Sequence, residues 1–231
     1  MTQIRFVIMA GGKEERWRNH LGCHKHLVKI DGETLIDRTL RLLRERGHED
    51  MYLVAKYSEY DREGVRRVPP LDLENGAVVA SQDYWAEDQR TTVLFGDTYF
   101  TEAAMDQICQ LETQEPTFIG RRRGSRITGC PYQELFGFSL LPENHLAVIH
   151  SIEHVKEAMI QGVIRMCAGW SVYRHLQGIG LRNKKCPGNF LHIDDFSEDF
   201  DTPDDYERWI ERFENRHLKR SSRWSFWRKA G

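Results

Sequence analysis

Apolar runs of two sizes alternate along this chain, one suited to strands and one to helices. "IRFVIM" at 4–9 is almost continuously apolar and ends at Gly11-Gly12, the pattern of a strand buried on both faces. Thr34 to Arg46 instead spaces Ile36, Leu40 and Leu43 along one helical face, with Gly47 as a C-terminal stop. "MYLVA" at 51–55 predicts a second strand, 77–88 a helix, and "TTVLFGD" at 91–97 a third strand. Residues 101–112 predict a further helix and "TFIG" at 117–120 a further strand. Residues 121–141 read as a loop leading into a strand, and helical patterns follow at about 143–161 and 170–176. The closing stretch, "NFLHIDDFSEDFDTPDDYERWIERF", reads as strand, acidic loop and a helix opened by Pro203. This alternation predicts an α/β fold with a mainly parallel sheet covered on both faces.

Composition narrows the setting. A chain of 231 residues suits one large domain and can bury a full core without disulfides or a structural metal. The net charge of −2 announces no polyanionic partner, so nucleic acid is not expected. No apolar run approaches the roughly 18 residues of a membrane span, and "MTQIRFVIMAGG" lacks the cleavage site of a signal peptide. Cys23, Cys109, Cys130, Cys167 and Cys186 are odd in number, widely spaced and free of C-x-x-C, which predicts a reducing cytoplasm. From Arg216 onward "RHLKRSSRWSFWRKAG" is basic and lacks acids, so the chain divides into a domain at 1–215 and a basic aromatic tail at 216–231. Trp224, Phe226 and Trp227 favour an arm packed on the domain or on a second subunit, which leaves a homodimer open.

Candidate chemistry begins after the first strand. Gly11 and Gly12 let the backbone approach a ligand and present N–H groups to an anion, while Lys13, Arg16, Arg18 and Lys25 add positive charge. The second and third glycines of a dinucleotide loop are missing, and Glu14 stands where a P-loop needs Ser or Thr. Asp97 follows an apolar strand and Gly96, so it emerges at the same sheet edge. Asp194, Asp195, Glu198, Asp199 and Asp201 crowd one loop, where cation binding is a reason to tolerate their repulsion. Carboxylates beside a phosphate-gathering loop suit Mg²⁺. Cys23, His24 and His26 lack a second ligand pair at zinc spacing, and His150 and His154 lack H-E-x-x-H. Arg121, Arg122 and Arg123 either grip an acidic or phosphorylated substrate or form a solvated loop.

"MAGGKEER" followed by "HKHLVKIDGETLIDRTL" resembles the signature of the sugar-phosphate nucleotidyltransferases, A-G-G-x-G-x-R then P-K-x-L and G-x-x-L-I. Gly96-Asp97 resembles that family's "GD" strand end, and "DFDTPDDYERW" its closing D-x-D-T-P-E-D-Y segment, so the resemblance runs in order over about residues 4–213. It implies a Rossmann-like three-layer α/β/α domain of the nucleotide-diphospho-sugar transferase (GT-A-like) type. It also implies Mg²⁺-dependent transfer of NMP from an NTP to a sugar phosphate, or a similar small phosphorylated or acidic acceptor, with release of pyrophosphate. By the same resemblance Ala10, Gly11, Gly12 and Lys13 bind the nucleotide and Arg16 holds the β- and γ-phosphates. Lys25 bridges the α-phosphate and the acceptor, and Asp97, Asp199 and Asp201 hold the metal. Glu134, in "CPYQELFGFSL", resembles an acceptor-side acid, and Arg122 is a second candidate substrate contact.

Three positions depart from the pattern: Glu14 replaces a glycine, Glu15 a small residue, and His24 the proline. A carboxylate beside a triphosphate is repulsive unless it pairs with Lys13 or Arg18 or faces solvent. Two other functions stay open on the sequence. One is a glycosyltransferase using a nucleotide-sugar, although such enzymes typically carry D-x-D where this chain has Gly96-Asp97-Thr98. The other is a non-catalytic nucleotide-binding regulatory protein, suggested by Glu14 and Glu15.

Overall fold

The computed structural model describes residues 3–12, 14–71 and 76–227, with side chains as far as 215. In chain order the elements are β1 (Ile4–Met9), β2 (Lys29–Ile30), β3 (Glu33–Thr34), α1 (Leu35–Glu45), β4 (Met51–Val54) and β5 (Arg66–Val68). There follow α2 (Ala77–Ala80), β6 (Arg90–Phe95), β7 (Thr98–Tyr99), α3 (Glu102–Cys109), β8 (Thr117–Arg121) and β9 (Glu134–Leu140). The last are α4 (His145–Ile160), α5 (Gly169–Leu176), β10 (Phe190–His192), β11 (Glu198–Asp199) and α6 (Pro203–Trp227).

Seven strands form the central sheet in the order β10-β8-β9-β6-β1-β4-β5. β9 runs antiparallel to both its neighbours, and the other pairs are parallel. The layers follow from the two-residue period of a strand. On β1, Phe6 and Ile8 point into a core with Ile36, Leu40 and Leu43 of α1 and Met105 and Ile108 of α3. Val7 and Met9 point the other way, against Val78 and Val79 of α2, Val148 and Ile152 of α4 and Tyr173 of α5. Because both faces of β1 are covered, its sequence is apolar without alternation.

Helix ends follow local chemistry. Thr34 accepts the Asp37 N–H at 3.0 Å and Thr101 the Ala104 N–H at 3.0 Å, so both helices start at a hydroxyl cap. The predicted helix at 77–88 shortens to α2 and a 3₁₀ turn over 82–84. There the Ser81 hydroxyl donates to the Val78 carbonyl and accepts the Trp85 indole N–H, while the Ala86 N–H goes to Thr91. These bonds leave the helical ladder and turn the chain into β6. The predicted helix at 101–112 ends at Cys109. The edge strand β5 carries no apolar alternation, and pairing with β4 alone creates it.

A third apolar cluster joins Trp17, Val28 and Leu35 to Tyr99, Phe200 and Trp209, and so ties the loop after β1 to β7 and α6. The α6 backbone continues past Asn215 to Trp227, so the boundary between domain and tail is not marked by a change of secondary structure. The side chains of Trp224, Phe226 and Trp227 lie outside the described residues, as does the contact expected of them. Among the described residues no helix is long and apolar enough to cross a membrane. All five cysteines are free.

Candidate active site

Two strand ends meet at the base of a cleft. The Gly96 N–H donates to the Met9 carbonyl at 2.9 Å, and a Cβ at Gly96 would stand 2.9 Å from that oxygen. No other residue allows β1 and β6 to end so close together, and Asp97 is thereby delivered beside the glycine loop. Gly11 is similarly confined, since a Cβ there would lie 2.7 Å from the Pro70 Cβ. Immediately after Asp97, β7 pairs antiparallel with β11, which sets Asp199 opposite Thr98. The Phe200 N–H also donates to the Asp97 carbonyl at 3.0 Å. This small ribbon folds the late acidic segment onto the middle of the chain.

The resulting cleft has a volume of about 570 Å³. Its lining combines Gly11, Gly12, Arg16, Lys25, Asp97 and Asp201 with the apolar Met9, Pro70, Ala77, Ala80, Phe95 and Met166. A lining that is part charged and part apolar suits a phosphorylated molecule that carries a flat ring. Lys13 lies outside the described residues.

Among the charged lining residues Lys25 is buried, contacts the Asp97 carboxylate, and donates to Asp201 Oδ1 at 3.3 Å. Burial alone would lower the Lys25 pKa, but Asp97 and Asp201 outweigh it and hold the ammonium charged. Burial alone would raise Asp97, and here Lys25 and His26 hold the carboxyl below its ordinary range. Arg16 is largely exposed and reaches Asp201 Oδ2 at 2.6 Å. Arg16, Lys25, Asp97 and Asp201 therefore form one continuous run of ion pairs.

Glu134, Asp199 and Asp201 bring carboxylate oxygens within 4.8 Å of one another. Burial first, and then neighbouring carboxylates, raise Asp199 well above the ordinary range and push Glu134 up to about 7. Three converging oxygen donors that repel one another suit a hard divalent cation such as Mg²⁺. Asp199 and Asp201 thus meet as the sequence led us to expect. Their third partner is Glu134, read from sequence as an acceptor contact, whereas Asp97 is engaged with Lys25. Glu134 opens β9, and nothing in its local sequence points toward the two aspartates.

The rest of the acidic loop disperses. Asp194 is exposed, Asp195 accepts from the Thr101 hydroxyl and the Ser197 N–H, and Glu198 is buried against Arg121 and Ser125. Arg122, expected as a substrate contact, is not among the residues that line the cleft. Its guanidinium donates to the carbonyls of Phe190 and Gly188 at 3.1 and 3.3 Å and lies 5.3 Å from the Phe190 ring, bracing β8 against β10.

Among the described residues Glu14 pairs with His24 and His26 and not with Arg18. Its Oε2 meets His24 Nδ1 at 3.1 Å and accepts the Lys25 N–H at 3.3 Å, while its Oε1 meets His26 Nδ1 at 3.1 Å. Burial would raise Glu14, but hydrogen bonds and charge from His26 and His24 hold it below its ordinary value. Glu15 is exposed. His24 and His26 both turn to Glu14, and His154 stacks on His175 with ring centroids 4.1 Å apart.

The sequence matches the family model of the MobA-like NTP transferase domain over residues 6–179, well over half of the chain. Among solved structures, the inositol-1-phosphate CTP transferase from T. maritima aligns with TM-score 0.60 and 15% identity, covering 91% of this chain and 96% of that one. The CTP:phosphocholine cytidylyltransferase from Streptococcus pneumoniae aligns with TM-score 0.57 and 14% identity, covering 91% and 99%. A glucose-1-phosphate thymidylyltransferase, described as putative, from Bacillus anthracis gives TM-score 0.56 and 14% identity, covering 89% and 93%. At these identities the likeness is one of fold. No curated protein sequence matches the chain.

Proposed function

The chain belongs to the MobA-like NTP transferase family and is a nucleotidyltransferase, and on that footing we propose that it transfers NMP from an NTP to a small phosphomonoester in a Mg²⁺-dependent reaction. The neighbours in fold are named for phosphocholine, inositol 1-phosphate and glucose 1-phosphate, which share that acceptor chemistry. An acceptor phosphate oxygen attacks the α-phosphorus. A new P–O bond forms as the bond to the β-phosphate oxygen breaks, and pyrophosphate leaves with the electron pair.

One observation carries the reading: the glycine loop, Arg16 and Lys25 line one cleft with Asp97 and Asp201, and Asp201 also belongs to the carboxylate cluster with Glu134 and Asp199. The N–H groups of Gly11 and Gly12 and the guanidinium of Arg16 take the β- and γ-phosphates. Lys25 turns from Asp97 and Asp201 toward the charge that builds on the α-phosphate. Glu134, Asp199 and Asp201 would hold Mg²⁺, which when bound neutralises charge on the α-phosphate and the leaving group. Met9, Ala77, Ala80 and Phe95 receive the base.

Pyrophosphate release is measured with the common triphosphates against a panel of sugar phosphates and phosphocholine, with and without Mg²⁺. We expect turnover with at least one pair, its loss on chelation, and a fall of about 100-fold or more in Lys25→Ala. No release from any combination would overturn the reading.

A further inference from the structure

We propose that Glu14, standing where the resembling family has glycine, is a positioning residue that holds Lys25 at the cleft. The inference rests on the nucleotidyltransferase reading for the role of Lys25, but not for the geometry. Lys25 is reached through a loop with little regular structure, in which Arg18, Asn19 and Leu21 all adopt positive φ. Each such non-glycine residue costs roughly 1 kcal/mol or more, so the loop needs anchors. Trp17 is one: it is fully buried, and its indole N–H donates to the Cys23 carbonyl at 2.8 Å. That bond stops short of Lys25.

Glu14 covers the remaining distance. One carboxylate takes the Lys25 backbone N–H and a ring nitrogen from each flanking histidine, so every residue of the 24–26 turn is tied to it. The tie continues outward, because His24 Nε2 meets Glu59 at 3.0 Å and buried His26 meets the Tyr60 hydroxyl at 3.2 Å. His24 thus bridges the Glu14 and Glu59 carboxylates through its two ring nitrogens. The close backbone approach that glycine permits has been exchanged for a side chain that sets the position of the lysine.

The test compares parent, Glu14→Gly, Glu14→Gln and His24→Ala with the triphosphate and acceptor that the parent uses best. For Glu14→Gly we expect kcat to fall about 10- to 100-fold, the scale of a reacting group misplaced by an ångström, with the triphosphate KM within about threefold. Glu14→Gln keeps an oxygen for the Lys25 N–H and should recover most of the loss. A second readout needs no activity: trypsin cleavage after Lys25 in the ligand-free protein, followed by mass spectrometry. Local opening exposes that bond, so Glu14→Gly and His24→Ala should be cut there at least several-fold faster than the parent. If Glu14→Gly does not fold, His24→Ala carries both measurements. Parental kcat in Glu14→Gly, or in His24→Ala where that variant must stand in, overturns the proposal, as does an unchanged cleavage rate after Lys25. A parent that releases no pyrophosphate sinks the functional reading instead, and the cleavage rates still decide whether Glu14 holds the turn.

Discussion

Replacing Lys25 by methionine should move metal affinity and turnover in opposite directions. The Lys25 ammonium contacts Asp97 and lies 3.3 Å from Asp201 Oδ1, where it competes for a carboxylate of the Glu134, Asp199 and Asp201 cluster that would hold a divalent cation. Two unit charges about 4 Å apart interact by roughly 4 kcal/mol at an effective dielectric constant near 20. Part of that is offset because the ammonium is itself desolvated, leaving on the order of 1–3 kcal/mol in favour of the cation once the lysine is gone. Such a difference is about a 5- to 150-fold gain in affinity. Methionine keeps an unbranched apolar stem and removes only the charge. Mn²⁺ binding without nucleotide, read from the loss of the free-ion electron paramagnetic resonance signal, measures it. The same variant should lose about 100-fold or more in kcat, since a donor to the transition state is gone. Mn²⁺ binding that is unchanged or weaker in Lys25→Met would refute the view that lysine and cation share that carboxylate.

Glu198→Ala should lower the free energy of unfolding by about 3–5 kcal/mol, read from urea midpoints, because it strands Arg121 without its buried partner. A small stability loss with a raised acceptor KM would instead put the pair in the substrate site. In the absence of divalent cations, stability should fall as pH rises from 4.5 to about 7, because the folded state retains the Glu134 proton that the unfolded state has lost. The fall should be on the order of 1–3 kcal/mol, saturating Mg²⁺ should flatten it, and a flat curve without the ion would show that Glu134 is not held in its protonated form. Asp97 and Glu14 are held below their ordinary values, so the stability they add is lost only at lower pH, as it falls through their folded values. Ala80→Leu, which fills the apolar part of the lining, should raise the triphosphate KM about tenfold with kcat within about threefold; an unchanged KM would take the base away from it.

The sequence alone carried the strand and helix order, the layered α/β class and the sheet edge at which the glycine loop and Asp97 emerge. Each of these depends on short-range pattern. Continuous apolar residues at 4–9 mean burial on both faces, the spacing of Ile36, Leu40 and Leu43 means one helical face, and a glycine pair after a strand marks an open backbone. Arg16, Lys25, Asp97, Asp199 and Asp201 stood out as candidates because each sits next to such a landmark. What the sequence could not settle is which charges face one another. Five acids between 194 and 201 look equivalent in a string, yet the pairing of β7 with β11 sets Asp199 and Asp201 beside Glu134 and leaves Glu198 to Arg121. Glu134 joins them from β9, Arg122 is used up on backbone carbonyls, and Glu14 closes on the histidines beside Lys25. Apolar burial depends on which face a residue occupies, and periodicity encodes the face. Ion pairing and metal coordination depend on separations of a few ångströms between side chains distant in sequence, and only the assembled sheet and its crossing ribbon set those distances.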